Sequence, residues 1–137
     1  MRPRILCAFD SPAGARLAVP RAVELAAWRD ADLSFLALVR PSGSEPCGPV
    51  APQRIRRRSY LSLALARAAE TAAGQLGRRP RIGLLDTEDL DAEVRMQAVA
   101  QGADEVFVAE TAGFWRRPRL RRLSLQPVGA PLGVRLS

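Results

Sequence analysis

The stretch Arg4-Ile-Leu-Cys-Ala-Phe-Asp-Ser-Pro-Ala-Gly14 decides the interpretation of the whole chain, because a strand pattern runs directly into a helix start. Ile5 to Phe9 is an apolar run without polar alternation, which is typical of a strand covered on both faces of a parallel sheet. Ser11 is a favoured N-cap residue and Pro12 a favoured first helical residue. The stretch therefore predicts a central parallel strand that ends at Asp10 and leads into a helix.

Strand and helix patterns alternate after this stretch. Strands are predicted over Leu33–Val39, Arg81–Leu85, Glu105–Ala109 and Leu132–Leu136. Helices are predicted over Pro12–Arg29 and Arg54–Leu76, and a third helix is expected after its cap Asp89, with Gly102 ending it. Pro20 should kink the first helix or mark the start of its regular part. The sequence does not decide whether the basic segment from Thr111 to Leu125 is helical or irregular. The alternation predicts one α/β domain over residues 1–137, with a doubly wound, flavodoxin-like or Rossmann-like parallel sheet of five strands. Helices should cover both faces, giving three α/β/α layers.

The composition excludes several classes of enzyme. The 137 residues carry a formal net charge of +7, and every basic side chain is arginine, because lysine and histidine are absent. A Walker-A lysine, a Schiff-base lysine, a Ser-His-Asp triad and a histidine-ligated metal are therefore impossible. An enzyme would have to use carboxylates, arginine, Tyr60, hydroxyls, thiols or backbone groups, and we expect no catalytic site and no metal site.

The placement of the two cysteines and the lack of long apolar runs indicate the cellular compartment of the protein. Cys7 falls in a predicted buried strand and Cys47 in a loop rich in proline and glycine, so neither a disulfide nor a metal site is expected. Only Met1 to Arg4 precede the first strand, and no apolar run approaches the roughly 20 residues that a membrane span needs. We expect a cytoplasmic protein.

Several segments together resemble the universal stress protein family. Arg4 to Asp10 is similar to the opening strand of that family, which ends in an aspartate, and Ala22 to Ala26 fits its first helix. Gly102 to Asp104 before an apolar strand, and the proline-led stretch from Ala130 to Leu136, fit its last two strands. The resemblance implies the strand order 3-2-1-4-5, and it implies a homodimer through the C-terminal strand, whose unpaired edge would also favour pairing on physical grounds.

The loop after the fourth strand departs from the pattern of the ATP-binding members. In those members it has the form G-x2-G-x9-G-[S/T], whose glycines let backbone N–H groups approach the phosphates. Here Ala109 and Ala112 replace the first two glycines, and Gly113 has no partner glycine at the right spacing. The resemblance therefore implies a divergent member with a degenerate ATP-binding loop.

A nucleotide site of altered form is a second possibility. The resemblance implies that Asp10 and Val39 lie near the adenosine of ATP or AMP. Arginine side chains could take the place of the missing glycines at the phosphates. No cofactor is required by the sequence. The candidate nucleotide-binding residues are Asp10, Val39, Gly113, Arg116, Arg117 and Ser124.

Two basic segments could meet at the carboxyl edge of the sheet, where ligands bind in such folds. Their arginines are Arg54, Arg56, Arg57, Arg58, Arg116, Arg117, Arg119, Arg121 and Arg122. They could form a rim for a nucleotide phosphate, an RNA backbone or an acidic partner, or they could be a solvated basic face. Phe114 and Trp115 are the only aromatic pair beside these arginines. A basic surface without interleaved aromatic residues indicates at most a non-specific attraction of nucleic acid.

An acidic cluster precedes and begins the third predicted helix. Its members are Asp86, Glu88, Asp89, Asp91 and Glu93. They could form a carboxylate metal site, but acidic residues are also favoured in the first turn of a helix by the helix dipole. The second interpretation is preferred here.

The sequence thus supports three hypotheses about function. The first is a universal stress protein-like binding or regulatory domain that does not hydrolyse ATP. The second is an adenine-nucleotide-binding protein with an arginine-based phosphate site. The third is a basic module that associates with nucleic acid without sequence specificity.

Overall fold

The computed structural model describes residues 2–40, 50–111 and 117–125, without the side chains of residues 50–54. These residues form five strands and three helices. In chain order the elements are β1 (Arg4–Phe9), α1 (Pro12–Arg29), β2 (Asp32–Val39), α2 (Val50–Leu76), β3 (Arg81–Asp86), α3 (Leu90–Gln101), β4 (Glu105–Glu110) and β5 (Arg119–Arg122). The strand order in the sheet is β3-β2-β1-β4-β5, which confirms the predicted order 3-2-1-4-5.

The apolar strand β1 lies at the centre of the sheet, parallel to β2 on one side and to β4 on the other. Ile5 is paired with Leu33 of β2 and with Glu105 of β4, and all side chains from Ile5 to Phe9 are buried. Neighbouring strands on both sides satisfy the backbone hydrogen bonds of β1, and helices cover both faces of the sheet. The apolar run from Ile5 to Phe9 therefore needs no polar side chain. The prediction of a central parallel strand is confirmed.

The fifth strand differs from the prediction of an all-parallel sheet. β5 is antiparallel to β4, with Glu110 opposite Arg119, and it is formed by the basic segment whose structure the sequence left open. Only residues 111–118 connect the two strands, and a parallel return normally needs a crossover of a dozen or more residues. The predicted strand Leu132–Leu136 lies outside the described residues.

Helices cover both faces of the sheet, as predicted. α1 and α2 pack on the face that carries Ile5, Cys7 and Phe9. On the opposite face, Leu6 and Ala8 pack in a second cluster with the inner side chains of α3. Those side chains are Leu90, Val94 and Ala98. The three-layer α/β/α arrangement is therefore confirmed.

The helix ends follow the sequence signals closely. Ser11 caps α1 by accepting a hydrogen bond from the Gly14 N–H at 2.9 Å, and the helix continues as one element through Pro20 to Arg29. Pro20 is exposed, so the missing hydrogen bond lies on the solvent side of the helix. α2 begins at Val50, four residues before the predicted start at Arg54.

Burial keeps the thiol of Cys7 protonated. Its side chain is fully buried in β1, and desolvation raises the pKa of the thiol to about 12, so no thiolate forms near neutral pH. Cys47 lies outside the described residues. Within the described ranges, no helix has the length and apolar character that crossing a bilayer requires.

Candidate functional site

The residues that follow β1, β2 and β4 meet at the carboxyl edge of the sheet. Asp10 follows β1, Arg40 follows β2, and Glu110 is the last residue of β4. In the order β2-β1-β4 these strands are neighbours, and the chain changes direction across the sheet between β1 and β4. This switch point is where ligands bind in open parallel sheets. We name the surrounding region the switch-point cleft.

Asp10 joins the ends of β1 and β4. The backbone N–H of Thr111 donates to both of its carboxylate oxygens, at 3.0 and 3.3 Å. The Arg40 Nε lies 3.8 Å from the same carboxylate, and the Asp10 side chain is only 3% exposed. Burial raises the pKa of Asp10 above its ordinary value, although the Thr111 N–H and the charge of Arg40 act against that shift.

The gap between β1 and β4 is closed beside Asp10. The hydroxyls of Ser11 and Thr111 share a hydrogen bond of 2.8 Å across the two strand ends. A Cβ atom placed on Gly14 would lie 3.1 Å from the Ala109 carbonyl oxygen, so helix α1 approaches β4 as closely as a glycine permits. Ala109 stands where ATP-binding relatives are expected to have their first phosphate-loop glycine, and here it packs against α1 instead.

A chain of alternating charges crosses the switch-point cleft. Arg40 Nη2 lies 2.8 Å from Glu110 Oε2, and Arg121 Nη2 lies 3.1 Å from Glu110 Oε1. Arg121 also pairs with Asp91 in the first turn of α3, and this hydrogen bond raises the pKa of the Arg121 guanidinium above its ordinary value. Each guanidinium in the chain of charges therefore already has a carboxylate partner.

The open part of the switch-point cleft has a volume of about 300 Å³. Carboxylates outnumber guanidinium groups by two in its lining, so the cleft is negative although the protein as a whole is positive. The lining residues are Arg40, Glu88, Asp89, Leu90, Asp91, Glu110 and Arg121. This charge favours water, hydroxyls or cationic groups over a polyphosphate.

The predicted arginine rim is only partly brought together. Arg58 pairs with Asp86 at 2.8 Å, and Arg57 donates to the Arg40 carbonyl at 3.4 Å. Arg122 lies opposite Phe107 and reaches Glu105 at 3.5 Å, toward the amino end of β4. Three further arginines are exposed and form no ion pair with the described residues: Arg56, Arg117 and Arg119. The side chain of Arg54 and all of Arg116 lie outside the described part of the chain.

The other candidate nucleotide-binding residues are dispersed. Val39 ends β2 in the core at 1% exposure, and its carbonyl accepts a hydrogen bond from the Thr87 N–H at 3.0 Å. Ser124 follows Leu123, whose N–H donates to Val106 near the start of β4, so Ser124 does not lie at the carboxyl edge with Asp10. Gly113 lies outside the described residues, and a nucleotide role for this set stays a prediction.

The acidic cluster is used for capping and ion pairs. Asp89 caps α3 by accepting from the Ala92 N–H at 3.1 Å, as the sequence predicted. Asp86 pairs with Arg58, and Asp91 pairs with Arg121. Among the residues that the structure describes, no group of three or more cysteine or acidic side chains is arranged to hold a metal ion.

Sequence reasoning missed Arg40 and Glu110, which are the central members of the charge chain. Both residues stand at the carboxyl ends of strands, and this position was the signal that could have found them. With β2, β1 and β4 adjacent, opposite charges at the ends of β2 and β4 are expected to reach each other across the end of β1.

Comparisons with known proteins agree with this fold. A model of the universal stress protein family matches residues 1–129. A solved structure of a universal stress protein family member from Burkholderia pseudomallei has a TM-score of 0.64 and 24% identity, with 77% of this chain and 79% of that chain covered. The universal stress protein UspA from Lactobacillus plantarum has a TM-score of 0.68 and 17% identity, with 84% and 82% covered. No curated protein matches in the corresponding sequence comparison. With a family match over nearly the whole length, the chain belongs to the universal stress protein family.

Proposed function

We propose that this universal stress protein domain acts as a binding or regulatory domain without hydrolysing ATP. The observation that carries the proposal is the charge chain Arg40–Glu110–Arg121–Asp91, which occupies the switch-point cleft with internally paired groups. A domain with this cleft would act through what its surfaces contact and not through turnover of a nucleotide.

Electrostatics argue against a triphosphate in this cleft. Arg40 and Arg121 are the cations nearest to it, and both are already paired with carboxylates. A phosphate that took over one of them would leave Glu110 or Asp91 beside a second negative charge. Two like unit charges about 5 Å apart repel by about 3 kcal/mol at an effective dielectric constant of 20. Each displaced carboxylate would therefore weaken nucleotide binding by about two orders of magnitude.

Backbone geometry supports the same conclusion. Phosphate loops need N–H groups that point at the anion and no side chain in between. Here the N–H of Thr111, directly after β4, donates to Asp10, and Ala109 packs against Gly14. The first backbone donor after β4 is therefore already used within the fold.

The test is a thermal-shift titration with ATP, ADP, AMP and cyclic nucleotides, at low and at moderate salt. A ligand that binds only the folded state raises the melting temperature as its concentration rises. We expect no saturable shift for the wild-type protein. The double variant Glu110→Gln/Asp91→Asn removes two of the four lining carboxylates and frees Arg121, while Arg40 keeps only Asp10, so it should gain a shift that falls with salt.

Two outcomes would contradict the proposal. A saturable shift that survives moderate salt and is lost in Asp10→Ala would favour the nucleotide-binding alternative. Binding of single-stranded DNA or RNA that ignores base identity and falls steeply with salt would favour the nucleic-acid alternative. Glu24→Gln/Glu70→Gln removes two exposed charges outside the cleft and is the matched control for the double variant.

A further inference from the structure

A second concave surface lies between α1 and α2, away from the switch-point cleft. It has a volume of about 480 Å³, within the range of small-molecule pockets. We name it the α1/α2 groove. Its lining residues are Pro12, Ala15, Arg16, Val19, Pro20, Tyr60, Leu63, Ala64, Arg67, Ala68 and Thr71.

The floor of the α1/α2 groove is apolar because small side chains face each other between the helices. Ala15, Val19 and Ala68 are buried on the core side. On the outer side, Tyr60 and Leu63 remain 60% and 50% exposed. Large apolar side chains left in water next to a concave apolar floor are typical of surfaces that bind something.

The charge at the α1/α2 groove has one sign. Arg16 on α1 and Arg67 on α2 are the charged residues of its lining. Both are exposed, and neither forms an ion pair with any residue in the described ranges. Other described arginines at the carboxyl edge of the sheet, such as Arg40, Arg58 and Arg121, do have carboxylate partners. The groove therefore combines an apolar trough with two available guanidinium groups.

We propose that the α1/α2 groove binds a single-chain carboxylate amphiphile, with its hydrocarbon chain along the floor and its carboxylate at Arg16 and Arg67. An apolar trough suits a hydrocarbon chain, and guanidinium groups match a carboxylate in shape and charge. A nucleotide fits less well, because apart from the two guanidinium groups only the Tyr60 and Thr71 hydroxyls of the lining offer side-chain hydrogen bonds that could orient a base. This inference does not depend on the proposed function of the switch-point cleft.

The test is isothermal titration of the full chain with decanoate, dodecanoate and tetradecanoate below their critical micelle concentrations. Complete burial of a methylene contributes about 0.8 kcal/mol, or about fourfold in Kd, so partial burial in an open groove should give about twofold per methylene. Arg16→Gln and Arg67→Gln should each weaken binding about two- to fivefold at low salt, the range of an exposed charge contact. Arg79→Gln removes an exposed arginine outside the groove and should leave the Kd unchanged.

Three comparison ligands separate this proposal from other kinds of binding: dodecyltrimethylammonium, AMP and phosphatidylglycerol vesicles. Dodecyltrimethylammonium has the same chain with the opposite charge and should bind more weakly than dodecanoate. Equal affinity for it, a Kd independent of chain length, or arginine variants no weaker than Arg79→Gln would overturn the proposal. Binding of AMP at this groove in place of the carboxylates, or co-sedimentation with phosphatidylglycerol vesicles without binding of the monomeric carboxylates, would overturn it as well.

Discussion

Replacing Gly14 by alanine tests how closely α1 approaches the end of β4. The added Cβ would lie 3.1 Å from the Ala109 carbonyl oxygen, 3.2 Å from the Ser11 Oγ and 3.3 Å from the Ala109 Cβ. Alanine is favoured over glycine in a helix by about 0.5–1 kcal/mol, but forcing atoms into a packed site costs about 1–3 kcal/mol. Because the clash is with the backbone of a strand inside the sheet, Ala109 has little freedom to yield. We expect Gly14→Ala to lower the free energy of unfolding by up to about 2.5 kcal/mol, the largest difference between these two effects.

Gly74 is the matched control, because it also lies within a helix and a Cβ there would meet no atom within 4 Å. Gly74→Ala should raise the free energy of unfolding by about 0.5–1 kcal/mol, from helix propensity alone. Urea unfolding followed by far-ultraviolet circular dichroism measures both variants under the same conditions. The two substitutions should therefore have opposite signs. If Gly14→Ala is as stabilising as Gly74→Ala, α1 does not approach β4 this closely. The close packing of Gly14 against Ala109 beside Asp10 would then be refuted.

Two further predictions concern buried carboxylates. Burial raises the pKa of Asp10 in the folded state above its value in the unfolded state. As the pH rises from the unfolded-state pKa through the folded-state pKa, the free energy of unfolding of the wild type should therefore fall relative to that of Asp10→Asn. Urea unfolding at pH 4 and pH 7 measures this difference. Glu105 is 7% exposed and pairs with Arg29, which is 40% exposed, and Arg122 lies 3.5 Å away as a second partner. Arg29→Gln should therefore lower the free energy of unfolding by about 1–3 kcal/mol, less than the loss of a fully buried sole partner. Arg21→Gln, at an exposed position of the same helix, should stay within about 0.5 kcal/mol when both are compared by chemical denaturation at neutral pH.

Each of these predictions has a clear contradicting result. If wild type gains stability relative to Asp10→Asn over the same pH range, hydrogen bonding and the charge of Arg40 dominate over burial at Asp10. Equal effects of Arg29→Gln and Arg21→Gln would mean that the ion pair with Glu105 adds nothing to stability.

The fold could be predicted wherever local pattern and tertiary environment agree. The apolar run of β1 and the caps at Ser11 and Asp89 are local signals, and the structure uses each as the sequence indicates. β5 could not be predicted, because Arg119–Arg122 is mostly charged and lacks the β-branched and aromatic residues that favour strands. Its strand conformation comes from pairing with β4 and from a connection that is too short for a crossover helix.

The candidate site was less predictable than the fold. Asp10 could be found because it ends a strand whose central position follows from its apolar pattern. The partners of the arginines could not be found, since Arg40 and Glu110 are 70 residues apart in sequence and meet only through the strand order. A run of arginines in a sequence gives the sign of the local charge, but the carboxylates that neutralise it depend on tertiary structure.

The central position of β1 also has a consequence for synthesis on the ribosome. β1 and β2 are made early, but β4, the second neighbour of β1, begins only at Glu105, long after β2 ends at Val39. With about 65 residues still to be added at about 5–20 residues per second, the open edge of β1 must wait roughly 3–13 s for its partner. During that interval the nascent chain presents an unpaired apolar strand edge, which is a template for aggregation. This strand order therefore leaves one edge of β1 without its partner strand until β4 has been made.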